Sequence, residues 1–322
     1  MQHATLDVEV LRKRVEAEGI ASFELASPDG KQLPPFSAGA HIDVFLPNGM
    51  VRQYSLCNAA WQEDIYQIAV LRDQNSRGGS VCIHDAVQEG QVLKISEPRN
   101  HFPLTNGASH SVLIAGGIGV TPILSMAERL SHAGASFEFH YCTRNRKRTA
   151  FLNRIAESPY ASRVQFHFDD GPEDQRFDAS AVLRASLDPN AHLYVCGPGG
   201  FLDFVLARAR EAGWSGSHLH REYFMAAPVE SAQSGAFEVE IVSTGKVIPI
   251  LPEQSVVEVL TEHGVEIPVS CEQGVCGTCL TRVLSGEPDH RDMFMTDEEH
   301  ARNDQFTPCC SRAKSARLVL DL

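Results

Sequence analysis

The chain has 322 residues, enough for two or three domains with cores of their own, and apolar and charged fractions of 43% and 21% point to globular folding. A net charge of −13 argues against nucleic acid as a partner, and no run of about 18 apolar residues is present to predict a membrane span. Nine cysteines without an N-terminal apolar leader suit metal ligation in a reducing, cytoplasmic compartment better than a disulfide framework.

From Leu6 to about Pro103, short runs of β-branched and apolar residues, such as Leu6-Asp7-Val8-Glu9-Val10, are separated by turn clusters such as Pro47-Asn48-Gly49. That pattern predicts an antiparallel barrel or sandwich. Two segments inside it carry chemistry. Arg52-Gln53-Tyr54-Ser55 packs a guanidinium fork, an aromatic face and a hydroxyl into four residues. Ser76-Arg77-Gly78-Gly79-Ser80 opens the helix-compatible stretch Val81 to Val87, and free N–H groups at a helix start attract a phosphate. Either segment alone is more often structural. Together they predict a flavin nucleotide, with Tyr54 along the ring system and Arg52, Ser55 and Ser80 around the phosphate.

After Pro103 the period changes. Ser111 to Ala115 reads as a buried parallel strand, followed by Gly116-Gly117-Ile118-Gly119-Val120-Thr121-Pro122 and a helix from Ile123. Strand, glycine turn, helix is the setting in which a glycine motif predicts a nucleotide, although Pro122 stands where the full dinucleotide motif has its last glycine. Strands at Phe137–Tyr141, Val164–Phe168 and His192–Val195 continue the alternation, and the last runs into Cys196-Gly197-Pro198-Gly199-Gly200-Phe201. An α/β domain is expected, binding its ligand at strand carboxyl ends. Thr143 and Arg144 are placed to hold an adenosine ribose or phosphate, yet Arg144 equally suits a surface cation of the basic run to Arg148. Cys196 equally suits a small buried hydrophobe.

Ala226 to Gly235 is small, polar and turn-prone, and reads as a linker. Beyond it, a hairpin at Phe237–Val242 and Val247–Ile250, a helix at Val256–Leu260, an acidic helix near Asp297–Glu299 and a last strand at Arg317–Leu320 predict an α+β module. Within it Cys271, Cys276 and Cys279 have C-x4-C-x2-C spacing, answered by a distant Cys309. This is plant-type 2Fe-2S spacing; structural zinc takes its ligands as two short pairs. Spacing alone leaves Cys310 able to replace Cys309. From Phe237 onward 15 acidic residues face 7 basic ones, which gathers −8 of the net charge around the proposed cluster. It is either a solvated surface or a steering patch for a basic redox partner.

Taken together, these motifs resemble, nearly end to end, the phthalate dioxygenase reductase family, the reductase components of two-component Rieske oxygenases. The resemblance implies an FMN-binding β-barrel domain over 1–104, an NADH-binding α/β domain over 105–226, a linker over 227–236 and a plant-type ferredoxin domain over 237–322. It implies FMN held by Arg52, Tyr54, Ser55, Gly78, Gly79 and Ser80, with Phe224 against the flavin ring. Gly117, Thr121, Thr143, Arg144, Cys196 and Pro198 would line the NADH path. Thr121, Cys196 and Phe224 are then the candidate catalytic residues, the first two as positioning groups, because hydride transfer needs orientation more than acid–base help. The expected acceptor is a terminal Rieske non-haem iron oxygenase subunit, with neither nucleic acid nor membrane as a partner. Strict use of NADH over NADPH stays open, since Arg144 would also suit a 2′-phosphate. Rival readings are a standalone flavin reductase with another acceptor and an iron–sulfur redox sensor; two upstream nucleotide cradles count against the sensor.

Overall fold

The structure, a computed structural model, describes residues 5–73, 76–224 and 235–322. The expected linker over 227–236 lies, as far as residue 234, outside the described residues. The chain forms two compact units, one running to Glu222 and one from Tyr223 to Leu322.

The first unit begins with six strands: β1 (Thr5–Ala17), β2 (Ile20–Ala26), β3 (His41–Phe45), β4 (Val51–Ser55), β5 (Tyr66–Leu71) and, after helix α1 (Gly79–Ala86), β6 (Val92–Ser96). They form one sheet in the order β4-β3-β6-β1-β2-β5. An antiparallel bridge between Leu56 and Ile68, with Cys57 N–H donating to Gln67 O at 2.8 Å, joins the two edges into the expected barrel. Closure removes the exposed edges that an open sheet would carry. β1 pairs with β6 over Thr5–Glu9 and with β2 from Glu9 onward, and its register with β2 shifts between Val10 and Arg12, a bulge at which Leu11 is exposed. Inward positions such as Val8, Phe23, Ile42, Leu56, Tyr66 and Ile95 are buried, each contributing roughly 1.5–3 kcal/mol by removal from water.

The same unit continues with β7 (His110–Gly116), α2 (Val120–His132), β8 (Phe137–Thr143), α3 (Leu152–Ala156), β9 (Val164–Phe168), α4 (Ala179–Ala185), β10 (Ala191–Gly197), α5 (Gly199–Ala212) and β11 (Leu219–Tyr223). Sheet order is β11-β10-β7-β8-β9, parallel across β10, β7, β8 and β9. β7 and β10 lie at the centre and read as continuous apolar runs because helices cover both faces. The chain leaves β7 for α2 on one side and reaches β10 on the other, so their carboxyl ends form the switch point of the sheet. Both glycine-rich turns sit there. Arg154 ties this sheet to the barrel: its guanidinium donates to Gln67 Oε1 at 2.9 Å, to Cys57 O at 2.8 Å and to Glu128 Oε1 at 3.3 Å.

The second unit contains β12 (Phe237–Ile241), β13 (Lys246–Ile250), α6 (Val256–Glu262), β14 (Thr281–Ser285), β15 (Pro288–Asp289), α7 (Asp297–Arg302), β16 (Gln305–Phe306), β17 (Arg312–Ala313) and β18 (Arg317–Leu320). A mixed sheet, β13-β12-β18-β14-β16, packs Val239, Ile248, Leu318 and Leu320 against Val256 and Leu260 of α6. Both helices start on capping boxes, Ser255 with Glu258 and Thr296 with Glu299, which satisfy N–H groups that would otherwise lack acceptors. The expected fold class, a flavin-type barrel, an α/β domain and an α+β ferredoxin module, is what the chain adopts. No helix among the described residues is long and apolar enough to cross a membrane.

Candidate functional site

Strand alternation on β4 sends Arg52 and Tyr54 to one face and Gln53 and Ser55 to the other. Arg52 lies over the start of α1: a Cβ on Gly79 would fall 2.8 Å from its Cγ and Nε. Only glycine lets the guanidinium approach that helix start. Gly78 precedes α1 with a φ of +105°, a left-handed conformation suited to glycine, and α1 has no side-chain cap over its first N–H groups. Its own N–H donates to Ser76 Oγ at 3.0 Å, and Ser80 Oγ accepts from Asp73 N–H at 3.1 Å. Arg52, Gly78, Gly79 and Ser80 are thus brought together at one helix start, an arrangement that fits a phosphate. Ser55 is not part of it. The expectation that Ser55 stands beside Arg52 and Ser80 is corrected by the pleat, which buries Ser55 and turns its Oγ to donate to Glu222 Oε2 at 3.2 Å.

The two glycine turns pack on each other at the carboxyl ends of β7 and β10. A Cβ on Gly119 would lie 2.3 Å from Cys196 O, and one on Gly116 would lie 2.7 Å from the Phe201 ring. These glycines serve close backbone approach. Gly117 differs, with a φ of +55° and no atom within 4 Å of a Cβ, so it borders open space. Thr121 is buried and its Oγ1 donates to Ile118 O at 3.1 Å, closing the turn from inside. Pro122 occupies the first turn of α2, where its missing N–H has no partner to lose. Pro198 is exposed at the N-cap of α5.

Thr143 departs from its expected place on the nucleotide path. It is buried, bonded to Thr149 Oγ1 at 2.8 Å and donating to Asn145 O at 3.3 Å, and so braces the loop after β8. Arg144 beside it is exposed. Phe224 is the last described residue before Gly235 and belongs to the second unit.

One residue went unnoticed in the sequence. Glu222, on β11, turns its carboxyl between Ser55 Oγ and Cys196 Sγ, the latter at 3.9 Å. Desolvation pushes its pKa from 4.5 up to about 8, opposed by the Ser55 hydrogen bond, and burial also pushes the Cys196 thiol well above its ordinary range. Serine from the barrel, cysteine from β10 and a protonated acid from β11 therefore meet where the two sheets adjoin. No local sequence signal marks it, because it lies within a segment that otherwise reads as a domain ending. A carboxyl with a raised folded pKa stabilises the fold fully below about pH 4.5, and that contribution is lost as pH rises through about 8. Glu222→Gln should accordingly gain thermal stability over the parent chain as pH is raised across this window. A melting-temperature difference independent of pH would contradict the assignment.

In the second unit Cys271, Cys276 and Cys279 are buried and Cys309 is half-buried. The Cys271 thiol is pulled far down by hydrogen bonds from Cys276 and then Cys309, while Cys309 is pushed up by Cys271 and Cys279. Cys271 thus neighbours Cys276 and Cys309, and Cys309 neighbours Cys279, a set of four sulfurs that a metal cation can hold in place of their protons. Glu272, Gly274 and Gly277 have φ of +55°, +73° and +68°, so the loop curls around its own sulfurs. Gln273 N–H donates to Cys271 Sγ at 3.3 Å and Thr278 N–H to Cys276 Sγ at 3.5 Å, the kind of bond that tunes a cluster. The donor set fits a 2Fe-2S group. Cys310 touches Cys309 but faces Thr307, with Oγ1 at 3.3 Å, and the outer side of Gly274.

Two family models match the chain: an oxidoreductase NAD-binding domain over residues 113–206 and a 2Fe-2S iron-sulfur cluster binding domain over residues 239–314. A vanillate O-demethylase oxidoreductase of Pseudomonas sp. strain HR199 is 54% identical over 317 residues, covering 98% of this chain and all of that protein. The phthalate dioxygenase reductase of Burkholderia cepacia is 42% identical over 318 residues, 98% of this chain and 97% of its own. A solved phthalate dioxygenase reductase, described as a modular structure for electron transfer from pyridine nucleotides to [2Fe-2S], superposes with a TM-score of 0.77 at 42% identity over 99% of this chain and 98% of that one. The chain belongs to the phthalate dioxygenase reductase family. This reductase is an NADH-dependent oxidoreductase that carries an NAD-binding domain and a 2Fe-2S cluster binding domain. Its glycine turns at the β7 and β10 ends fall within the matched NAD-binding region, and Cys271, Cys276, Cys279 and Cys309 all fall within the matched cluster region.

Proposed function

We propose that the chain is the reductase component of a two-component Rieske-type oxygenase of the vanillate-demethylase kind, working in the cytoplasm with NADH as donor and a separate terminal oxygenase as acceptor. In this reading residues 1–104 bind FMN, 105–226 bind NADH, 227–236 link, and 237–322 form the ferredoxin. The observation that carries it is end-to-end identity of 54% with a vanillate O-demethylase oxidoreductase. Three thiols of one loop with Cys309 beside them support it from the chemistry.

When bound, a flavin takes two electrons as a hydride and gives them up singly, and a 2Fe-2S cluster takes one. The chain's own residues hold and orient these partners. Arg52 and the α1 start carrying Gly78, Gly79 and Ser80 would neutralise the FMN phosphate, and Tyr54 on the same face of β4 would lie along the ring system. The family resemblance gives Phe224 the place against the ring. Gly117 and Pro198 border the space that admits the nicotinamide, with Thr121 keeping the turn closed and Arg144 reaching the adenosine end. Thr143 acts on that end through the loop it braces. Ser55 and Cys196 both face the Glu222 carboxyl beside the hydride path, and burial keeps that carboxyl protonated, so that it adds no buried negative charge at neutral pH. Cys271, Cys276, Cys279 and Cys309 hold the cluster.

Reconstitution tests this. Adding a vanillate-type oxygenase and its substrate to the reductase should raise NADH consumption several-fold with product formed in step. Turnover unchanged by any oxygenase, alongside undiminished reduction of small acceptors, would favour a standalone reductase.

A further inference from the structure

The segment between β15 and α7 reaches back to the cysteine loop at both of its left-handed glycines. Met293 N–H donates to Gly274 O at 2.9 Å, and a Cβ on Gly274 would lie 2.9 Å from Asp292 Cα and Cβ. A Cβ on Gly277 would lie 2.3–2.7 Å from atoms of the Phe294 ring. The ring therefore lies directly on the turn that carries Cys276 into Cys279.

Asp292 fixes this segment. It is buried, its Oδ2 accepts N–H bonds from Phe294 at 3.2 Å and Met295 at 2.8 Å, and its Oδ1 meets His300 Nε2 at 3.1 Å. His290 completes the trio, with Nε2 at 3.2 Å from Asn303 Oδ1. The three donors lie close enough for a metal ion, but the two rings stack at 4.4 Å with planes 18° apart. In-plane lone pairs of parallel rings run side by side and do not converge on one ion. His300 thus anchors Asp292 to α7, and His290 stacks on the His300 ring while bonding Asn303 at the end of that helix.

We propose that Phe294 and Asp292 are positioning residues for the iron–sulfur centre. Phe294 roofs Gly277 and keeps water from that side of the loop, and Asp292 holds Phe294 and Met295 in place. The proposal rests on the reading of the cysteine loop as cluster ligand. Gly277 kept in its left-handed turn presents Thr278 N–H to Cys276 Sγ, and both that bond and solvent exposure set a cluster's potential. Reduction adds negative charge, which water stabilises, so opening the roof favours the reduced form.

Redox titration with EPR on the purified full chain tests this. Phe294→Ala should shift the equilibrium toward the reduced cluster by about tenfold, a midpoint rise of about 59 mV for one electron, with altered g-values and unchanged iron content. Asp292→Ala should move both readouts the same way, and Phe294→Leu, which restores bulk over Gly277, should return most of the shift. If Phe294→Ala loses its iron, Asp292→Ala decides: a raised midpoint with altered g-values supports the roof and parental values overturn it. Parental potential and g-values in iron-replete Phe294→Ala and Asp292→Ala overturn the proposal. Absence of iron and sulfide from the parent chain overturns the ligand reading beneath it.

Discussion

A Cys276→Ala chain should keep NADH-dependent bleaching of its flavin and lose cytochrome c reduction to background. Cys276 is buried, hydrogen-bonded to Cys271, and accepts the Thr278 N–H, so its sulfur is one that the loop is shaped to present. Alanine leaves three thiols and a gap in a set that needs four. The flavin half should be indifferent to the change, because the barrel core runs from Val8 to Ile95 and the ferredoxin core from Phe237 to Leu320, with no residue in common. Stopped-flow at the flavin band and steady-state cytochrome c reduction on one preparation separate the two halves. A variant that still reduced cytochrome c at the parental rate would show that electrons leave by another route.

The second large effect is expected at Gly119. Its φ of −61° is open to any residue, so the cost of Gly119→Ala is steric and not conformational. The added methyl would meet Cys196 O at 2.3 Å and Cys196 C at 2.4 Å, backbone atoms of a central strand that have nowhere to go. Relieving the overlap must lift the glycine turn off the carboxyl end of β10, and a displacement of about 1 Å at a hydride-transfer site costs on the order of 100-fold. Flavin reduction at saturating NADH should fall by about that factor, with a raised KM for NADH. Gly117→Ala is the contrast. It meets no atom within 4 Å but adopts a φ of +55°, so it should cost only about 1–2 kcal/mol of local strain and leave the sheet packed. Equal, mild losses in the two variants would contradict the packing role of Gly119.

Much of this architecture was legible in the sequence, for reasons that differ by region. The cysteine loop was readable because ligand spacing is dictated by the cluster itself, and the fold brings its four thiols together. Strand alternation announced the barrel, and continuous apolar runs at Ser111–Ala115 and His192–Val195 announced a sheet covered on both faces. What stayed hidden depends on contacts across the chain. Ser55 was grouped with Arg52 because they are three apart, yet a period of two puts them on opposite faces of β4. Thr143 resembles a ligand contact until Thr149 is seen to occupy its hydroxyl. Glu222 has no local signature; it becomes notable only when β11 sets its carboxyl beside a serine 167 residues away. The packing of Gly116 on Phe201 and of Gly119 on Cys196 likewise cannot be seen in a linear motif.

Anaerobic reductive titration with NADH, monitored at the flavin and iron–sulfur bands after assay of iron, sulfide and flavin, tests the electron route most directly. The account predicts one flavin and one two-iron cluster per chain and an endpoint of about three electrons, two stored on the flavin and one on the cluster. An endpoint of about two electrons with the iron–sulfur band unchanged, or zinc in place of iron among Cys271, Cys276, Cys279 and Cys309, would contradict it.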